Sequence, residues 1–298
     1  MSAPAPGVWE FDAIGTRWQI VTAAPLAEAA RADIAQLIDG FDREWSRFRA
    51  DSVVSALADG GDAPLPKDAA DMLGLYAELS DATGGAVNPL VGESLARRGY
   101  DAAYSLRDTG AQPAPANWRD VLTWSNGTLR LSAPALIDVG ALGKGRLVDL
   151  VTDRLLECAA QASADAAVVV DASGDIRLAG TTERIALEHP YDPGKAIGVW
   201  QVAGGALCAS AANRRAWGEG LHHVLDARTG EPVTAIAATW ALAPTAMLAD
   251  ALATALFFDG GPALAHRWGV EWVRMTTTGR LEWSAGAVDA GADLFVGR

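Results

Sequence analysis

The chain has 298 residues, of which 50% are hydrophobic and 20% are charged, and its 24 Lys and Arg against 37 Asp and Glu give a formal net charge of −13. This composition excludes a disordered chain and predicts one large domain or two closely packed lobes. The acidic excess argues against nucleic acid or an anionic membrane surface as a partner, because both attract clustered Lys and Arg. A phosphate-bearing ligand remains compatible with it if something besides side-chain charge neutralises the phosphate.

The first third of the chain predicts two strands followed by two helices. Residues 8–15 and 16–24 have the composition of strands. A helix over 26–48 is predicted because its apolar residues recur at helical spacing, and a second helix over 67–82 ends before a pair of glycines. Residues 108–117, rich in Pro and Ala, predict a loop.

The N-terminus carries no recognisable targeting signal. Residues 1–7 predict a flexible end, and the first eleven residues contain neither the basic nor the apolar region of a signal peptide. We therefore expect a cytoplasmic protein. The two cysteines, Cys158 and Cys208, lie in apolar surroundings and outside any metal-binding spacing, so we expect two buried thiols.

Strand patterns dominate the middle of the chain. Residues 121–125 and 128–132 predict a hairpin, because Asn126-Gly127 between them favours a tight two-residue turn. Further strands are predicted on either side of a turn at Ser173-Gly174 and near 184–188, 197–203 and 206–210.

The uncharged run 232–249 approaches the length of a transmembrane helix. Pro244 divides it into a first part that predicts a buried strand and a second part that predicts a helix with Thr245 as its N-cap. A strand-to-helix turn therefore explains this run better than a membrane span does. Along the chain, strand pairs with interspersed helices replace strict alternation of strands and helices, which predicts an α+β fold.

A glycine-rich turn from Gly140 to Gly145 leads into a helix that is predicted to begin at about Gly145. Glycines let a backbone approach a ligand, a helix N-terminus offers N–H groups to an anion, and Lys144 adds a positive charge. The pattern matches neither GxxxxGK[ST] nor GxGxxG, so a plain strand-to-helix turn is the alternative to an anion site. Asp138, just before the turn, has the simpler interpretation of a strand-end residue.

The helix after Pro244 carries an acidic residue, Asp250, among apolar neighbours. Asp250 and Thr254 are four residues apart, so they share one face of that helix. Because a bare buried charge costs several kcal/mol, the carboxylate needs a partner. A hard cation such as Mg²⁺ or Ca²⁺ with carboxylate, hydroxyl and carbonyl ligands is one solution, and a salt bridge to an Arg elsewhere is the other.

Three further stretches combine polar residues with turns. His222 and His223 precede a turn, and a loop His is a candidate general base, although an isolated surface His is more common. The stretch from Asp171 to Asp175 has the simpler interpretation of a hairpin turn. The basic cluster at 213–215 is suited to a ligand phosphate or to a surface acid.

Seven stretches, in this order and with compatible spacing, resemble the ApbE family, the FAD:protein FMN transferases. They are AIGT at 13–16, EWSRFRADSVVSAL at 44–57, TGGAVNPLVGESL at 83–95, IDVGALGKGRLVD at 137–149, VVDASGDIRLAG at 169–180, LHHVLDARTGEPV at 221–233 and LADALATALF at 248–257. The resemblance covers nearly the whole chain. It implies a single domain over 1–298, built as two intimate lobes with mixed or antiparallel sheets and flanking helices.

The resemblance also implies a reaction and a set of site residues. The family uses Mg²⁺ to transfer the FMN half of FAD onto a Thr or Ser hydroxyl of an acceptor protein, with release of AMP. By position, the metal ligands are Asp250, Thr254 and the carbonyl of Ala141, and His223 matches the proposed base. The implied flavin contacts are Ile14, Ala86, Val87, Asn88, Asp138, Lys144 and Asp175.

Four residues depart from the family pattern, in which the corresponding positions hold Met, Asp, Gly and Pro. They are Ile14, Asn88, Ser173 and Ala227. None of them replaces an implied metal ligand, so they bear on the flavin contacts more than on the chemistry. Two other functions keep the same site: a Mg²⁺-dependent FAD pyrophosphatase that uses water as acceptor, and a flavin-binding protein without turnover. The expected partners are thus FAD and an acceptor protein, with no nucleic acid and no membrane span.

Overall fold

A computed structural model describes residues 6–161 and 167–295. The helices are α1 (Glu28–Trp45), α2 (Val53–Ala56), α3 (Ala69–Ala82), α4 (Gly92–Arg97), α5 (Trp118–Val121), α6 (Gly143–Gln161), α7 (Ala246–Ala255) and α8 (Gly261–Trp268). The strands are β1 (Gly7–Ala13), β2 (Thr16–Thr22), β3 (Gly61–Pro64), β4 (Leu122–Ser125), β5 (Thr128–Leu131), β6 (Val168–Asp171), β7 (Asp175–Ala179), β8 (Glu183–His189), β9 (Asp192–Val202), β10 (Gly205–Ala211), β11 (Ala216–Trp217), β12 (Leu221–His222), β13 (Leu225–Asp226), β14 (Glu231–Pro232), β15 (Ile236–Ala243), β16 (Glu271–Thr276), β17 (Leu281–Trp283) and β18 (Ala292–Leu294).

An antiparallel sheet of eight strands organises the molecule, in the order β1-β2-β6-β7-β10-β15-β16-β17. Two three-stranded sheets, β18-β9-β8 and β3-β5-β4, flank it. Since helices and antiparallel sheets are mixed without βαβ alternation, the predicted α+β class is confirmed.

The large sheet buries both of its faces. Along β10, Ala206 and Cys208 pack into the cluster that contains the buried sides of α1, α3, α6 and α7, whereas Leu207 packs into the opposite cluster. That second cluster includes Trp200 of β9, so the smaller sheet β18-β9-β8 covers the face away from the helices. This alternation follows from the two-residue period of a strand, which sends neighbouring side chains to opposite faces.

Local sequence signals placed several elements correctly. The hairpin between β4 and β5 turns at Asn126 and Gly127, whose φ angles of 49° and 76° suit the tight turn that this dipeptide favours. Thr245 is the N-cap of α7, because its Oγ1 accepts the Leu248 N–H at 3.3 Å. The uncharged run at 232–249 thus contains β15 and the first turn of α7. Within the described ranges, no helix is long and apolar enough to cross a membrane.

Other boundaries differ from the predictions. The first long helix runs over Glu28–Trp45 instead of 26–48, because Ala27 and Ser46 are extended. α6 begins at Gly143, two residues earlier than expected, and β9 begins at Asp192. β1 begins at Gly7, inside the predicted flexible end, of which residues 1–5 lie outside the described residues.

The cysteines also separate into two environments. Cys208 is fully buried, as expected, and its thiol lies 3.4 Å from the Ala246 carbonyl. The expectation of a second buried thiol was wrong for Cys158, which is half-buried. Cys158 lies beyond Leu155, the last buried residue of α6.

Candidate active site

Distant parts of the chain meet around a cavity of about 710 Å³. Its wall combines the turn between β1 and β2, the segment after α1, the start of α6, the loops after β10 and β12, and one face of α7. This volume is in the range of small-molecule and cofactor sites. The predicted site residues that line it are Ile14, Ala86, Val87, Asn88, Asp138, Ala141, Lys144, His223, Asp250 and Thr254.

Three oxygen-bearing groups meet where α7 faces the glycine-rich turn. The Thr254 hydroxyl donates to the Ala141 carbonyl at 3.3 Å, which places the two oxygens side by side. Asp250, one helical turn before Thr254, accepts the Gly145 N–H on Oδ2 at 2.9 Å. A carboxylate, a hydroxyl and a carbonyl are the ligand types that a hard cation prefers.

The charges around this group are unbalanced. Lys144 lies 2.7 Å from Asp175 Oδ2 and donates to the Ala172 carbonyl at 3.0 Å. Asp175 is fully buried and is not one of the residues that line the cavity. Neither of its carboxylate oxygens accepts a well-directed hydrogen bond. Two buried acidic groups, Asp175 and Asp250, therefore lie near one ammonium group, and only Asp175 pairs with it directly.

This imbalance shifts the pKa values of the group. Burial, and after it the charge of Asp175, raises the pKa of Asp250 well above its usual range. Burial acts to lower the pKa of Lys144, but the two carboxylates reverse that effect and raise it. An added cation near Asp250 would relieve the excess negative charge. Among the described residues no cluster of three His, Cys, Asp or Glu side chains could hold a metal ion, so a cation here depends on the Ala141 carbonyl and the Thr254 hydroxyl.

The backbone of the glycine-rich turn is held by the protein itself. Asp138 accepts the Gly140 N–H on Oδ1 at 2.7 Å, and the Gly143 N–H donates to the Val139 carbonyl at 2.7 Å. With Gly145 donating to Asp250, these N–H groups are already paired. The start of α6 thus offers an anion fewer free donors than its sequence suggested, and Lys144 is the clearer source of positive charge.

The two adjacent histidines have different environments. The Nε2 atom of His222 lies 3.0 Å from the Val233 carbonyl, and its Nδ1 accepts the Val224 N–H at 3.2 Å, so both ring nitrogens are occupied. His223 lines the cavity, and its buried Nδ1 has no hydrogen-bond partner. Burial, and after it the charge of Arg215, lowers the pKa of His223 to about 3. The imidazole of His223 is therefore neutral at pH 7.

Acidification should destabilise the protein through His223. Its pKa is about 6.5 in an unfolded chain and about 3 in the folded one, so below pH 6.5 the unfolded state takes up a proton that the folded state rejects. We expect this group alone to lower the free energy of unfolding by about 2 kcal/mol between pH 7 and pH 5. Urea unfolding at both pH values measures it. The His223→Gln variant should lose less stability than the wild type over this interval, and an equal loss in the two proteins would contradict the assignment.

A family profile matches most of the chain. The profile of the ApbE family covers residues 14–273 of the chain. This chain belongs to the ApbE family. The FAD:protein FMN transferase of Haemophilus influenzae is 26% identical to it over 262 residues, which cover 78% of this chain and 73% of that protein.

Solved ApbE structures share the fold. The ApbE protein of Thermotoga maritima superposes with a TM-score of 0.80 at 21% identity, covering 94% of this chain and 97% of that one. The flavin transferase ApbE of Vibrio cholerae gives a TM-score of 0.78 at 21% identity, with 96% and 99% coverage. The predicted ApbE-like architecture is thereby confirmed.

Two side chains that sequence reasoning missed hold the glycine-rich turn of this ApbE family member. The Tyr76 hydroxyl of α3 donates to the Asp138 carbonyl at 3.0 Å and accepts the Ala141 N–H at 3.3 Å. Arg47 donates through Nε to Asp138 Oδ2 at 2.5 Å, so both carboxylate oxygens of Asp138 are engaged within the protein. The only sequence signal was that Arg47 lies inside the stretch resembling the family, next to Phe48.

Aromatic side chains close one end of the cavity. The Arg47 guanidinium lies 4.1 Å from the ring centre of Phe48 and 4.9 Å from that of Tyr100. Tyr104 stacks on Phe48 at 5.1 Å, with 9° between the ring planes. Arg215 donates to the Tyr100 hydroxyl at 2.8 Å, whereas Arg214 pairs with Glu188. A planar, partly apolar ligand therefore has aromatic surface available at this end.

Two of the four departures from the family pattern, Asn88 and Ala227, have local structural reasons. Asn88 donates to the Pro115 carbonyl and accepts the Leu90 N–H, both at 2.9 Å, and so holds the turn that follows α3. The Ala227 N–H donates to the Ala86 carbonyl at 3.0 Å, a bond that a proline at this position lacks. Ile14 and Ser173 have φ angles of 47° and 56°, values rare for residues other than glycine, asparagine and aspartate.

Proposed function

We propose that this protein transfers the FMN half of FAD onto a Thr or Ser hydroxyl of an acceptor protein, with release of AMP. A new bond forms between the acceptor oxygen and the FMN phosphorus, and the bond from that phosphorus to the AMP oxygen breaks. The observation that carries the proposal is the oxygen set of Asp250, Thr254 and Ala141 beside Lys144 in a single cavity. Relatives named as FAD:protein FMN transferases support it.

Asp250, Thr254 and the Ala141 carbonyl would hold Mg²⁺, and the donor types and the excess buried negative charge fit this ion. When bound, Mg²⁺ stabilises the negative charge that develops on the pyrophosphate oxygens as AMP leaves. Phosphoryl transfer otherwise depends mainly on positioning and charge, which the protein's own side chains supply. Lys144, held by Asp175, adds a fixed positive charge to the same region.

We assign to His223 the role of taking the proton of the acceptor hydroxyl. It lines the cavity, and its neutral form dominates at pH 7 because burial lowers its pKa to about 3. We assign the flavin contacts to the remaining cavity wall, which includes Ile14, Ala86, Val87 and Asn88 as well as the aromatic side chains around Phe48.

Mass spectrometry of a candidate acceptor protein, incubated with this chain, FAD and Mg²⁺, tests the proposal. We expect the acceptor to gain the mass of one FMN, and the gain to disappear when its Thr or Ser is replaced by Ala. AMP is measured in the same samples and in a reaction without acceptor. Rapid release of AMP without labelling would instead indicate a pyrophosphatase, and intact FAD in every sample would indicate a binding protein.

A further inference from the structure

The N-terminus of α7 is held by a side chain of another helix. Asp149 of α6 accepts the Ala246 N–H on Oδ1 at 2.8 Å and the Met247 N–H on Oδ2 at 2.9 Å. Its side chain is only 3% exposed. Thr245 already caps the same helix locally through the Leu248 N–H, so α7 has two caps, of which only Asp149 links it to α6.

A basic residue of the large sheet fixes Asp149 in turn. Arg177 of β7 lies 2.9 Å from Asp149 Oδ1 and 2.9 Å from Asp153 Oδ1. Because Asp175 and Arg177 are two residues apart in one strand, they point to the same face. Two ion pairs thus join β7 to α6. In one, the acid Asp175 lies on β7 and Lys144 on α6; in the other, Arg177 lies on β7 and the acid Asp149 on α6.

The contact between α6 and α7 determines the geometry of the oxygen set. Ala141 lies two residues before the start of α6, whereas Asp250 and Thr254 lie on α7. Asp149 holds the first turn of α7, and Gly145 binds Asp250 one turn further on. Any slide of α7 along α6 therefore changes the distance between Thr254 and the Ala141 carbonyl, which the present packing sets at 3.3 Å.

We propose that Asp149, held by Arg177, is a positioning residue of the metal site: it fixes α7 on α6 so that Asp250 and Thr254 meet the Ala141 carbonyl. The inference rests on the proposed Mg²⁺-dependent function. Side chains that orient metal ligands typically change metal affinity 10- to 100-fold when replaced. Asp149 does not line the cavity, so it would act only through the backbone of α7.

Titration of Mg²⁺ alone into the full-length protein, followed by calorimetry, tests this role. We expect Asp149→Asn, in which one of the two acceptor oxygens becomes an amide donor, to weaken Mg²⁺ binding about 10- to 100-fold. Two matched controls should stay within about twofold of the wild type. Thr245→Ala removes a cap of the same helix without touching α6, and Asp153→Asn removes the outer partner of Arg177 without touching α7.

Melting temperatures separate positioning from general stability. Asp149→Asn and Thr245→Ala should both lower the melting temperature, but only the first should weaken Mg²⁺ binding. Equal affinity in Asp149→Asn and the wild type, or equal weakening in the two variants, overturns the positioning role. If Asp149→Asn does not fold, Arg177→Met decides: weaker Mg²⁺ binding supports the role and unchanged binding overturns it. Absence of Mg²⁺ binding in the wild type instead overturns the proposed metal site itself, and the positioning role with it.

Discussion

The Asp250→Asn variant should lose FMN transfer by about 10³-fold or more while folding at least as well as the wild type. The amide keeps the shape of the side chain and can accept the Gly145 N–H, but it removes the negative charge that would attract Mg²⁺ to the proposed site. A loss of 10³-fold corresponds to about 4 kcal/mol of transition-state stabilisation, within what a bound metal supplies. The rate is measured as FMN-labelled acceptor formed per minute at saturating FAD.

Thermal unfolding with and without Mg²⁺ provides the decisive control for Asp250. Burial and the neighbouring Asp175 raise the pKa of Asp250, so its ionised form destabilises the metal-free fold at pH 7. The neutral amide removes that cost, and we expect an equal or higher melting temperature without Mg²⁺. Addition of Mg²⁺ should raise the melting temperature of the wild type only. A Mg²⁺-induced rise of equal size in Asp250→Asn would contradict the ligand assignment.

Gly145→Ala should reduce both stability and transfer, because α6 and α7 touch at this position. A Cβ atom on Gly145 would lie 2.2 Å from the Ala246 carbonyl oxygen and 2.7 Å from the Asp250 Cβ. These are backbone and near-backbone atoms, so the helices must separate to admit the methyl group. We expect a loss of about 1–3 kcal/mol in the free energy of unfolding and about 10²-fold in rate, the cost of displacing a reacting group by about 1 Å.

Gly74→Ala is the matched control for this substitution. Gly74 lies inside α3, and a Cβ atom built there meets nothing within 4 Å. Alanine has the higher helix propensity, so this variant should gain up to about 1 kcal/mol and keep its activity. Urea unfolding and the labelling assay compare the two variants. Wild-type stability and rate in Gly145→Ala would show that the α6–α7 contact is looser than the packing indicates.

Short-range sequence signals predicted the elements that depend on short-range physics. Asn126-Gly127 predicted a hairpin because its turn needs positive φ, and Thr245 predicted a helix start because its hydroxyl reaches an N–H three residues on. The spacing of Asp250 and Thr254 likewise placed both on one face of α7. The predicted α1 was too long, because hydrophobic periodicity does not show where the backbone leaves the helix for an extended conformation, here at Ser46.

The partners of the site residues could not be predicted in this way. Tyr76 binds the glycine-rich turn across 62 and 65 positions of sequence, and Arg47 reaches Asp138 across 91. Asp149 likewise contacts α7 across 97 positions. Hydrophobic spacing reports which face of an element is buried, not which element covers it. The resemblance to the ApbE family located the stretches, and the fold supplied the contacts among them.

The contact between α6 and α7 also sets the order in which the site comes into existence during synthesis. Gly145 and Asp250 are 105 positions apart, and Ala141 and Thr254 are 113 apart. When the glycine-rich turn emerges from the ribosome, α7, which packs against it, has not yet been synthesised. Long-range contacts of this kind form late, after local structure. The proposed metal site therefore forms only after α7 has been synthesised, and a shorter nascent chain does not contain it.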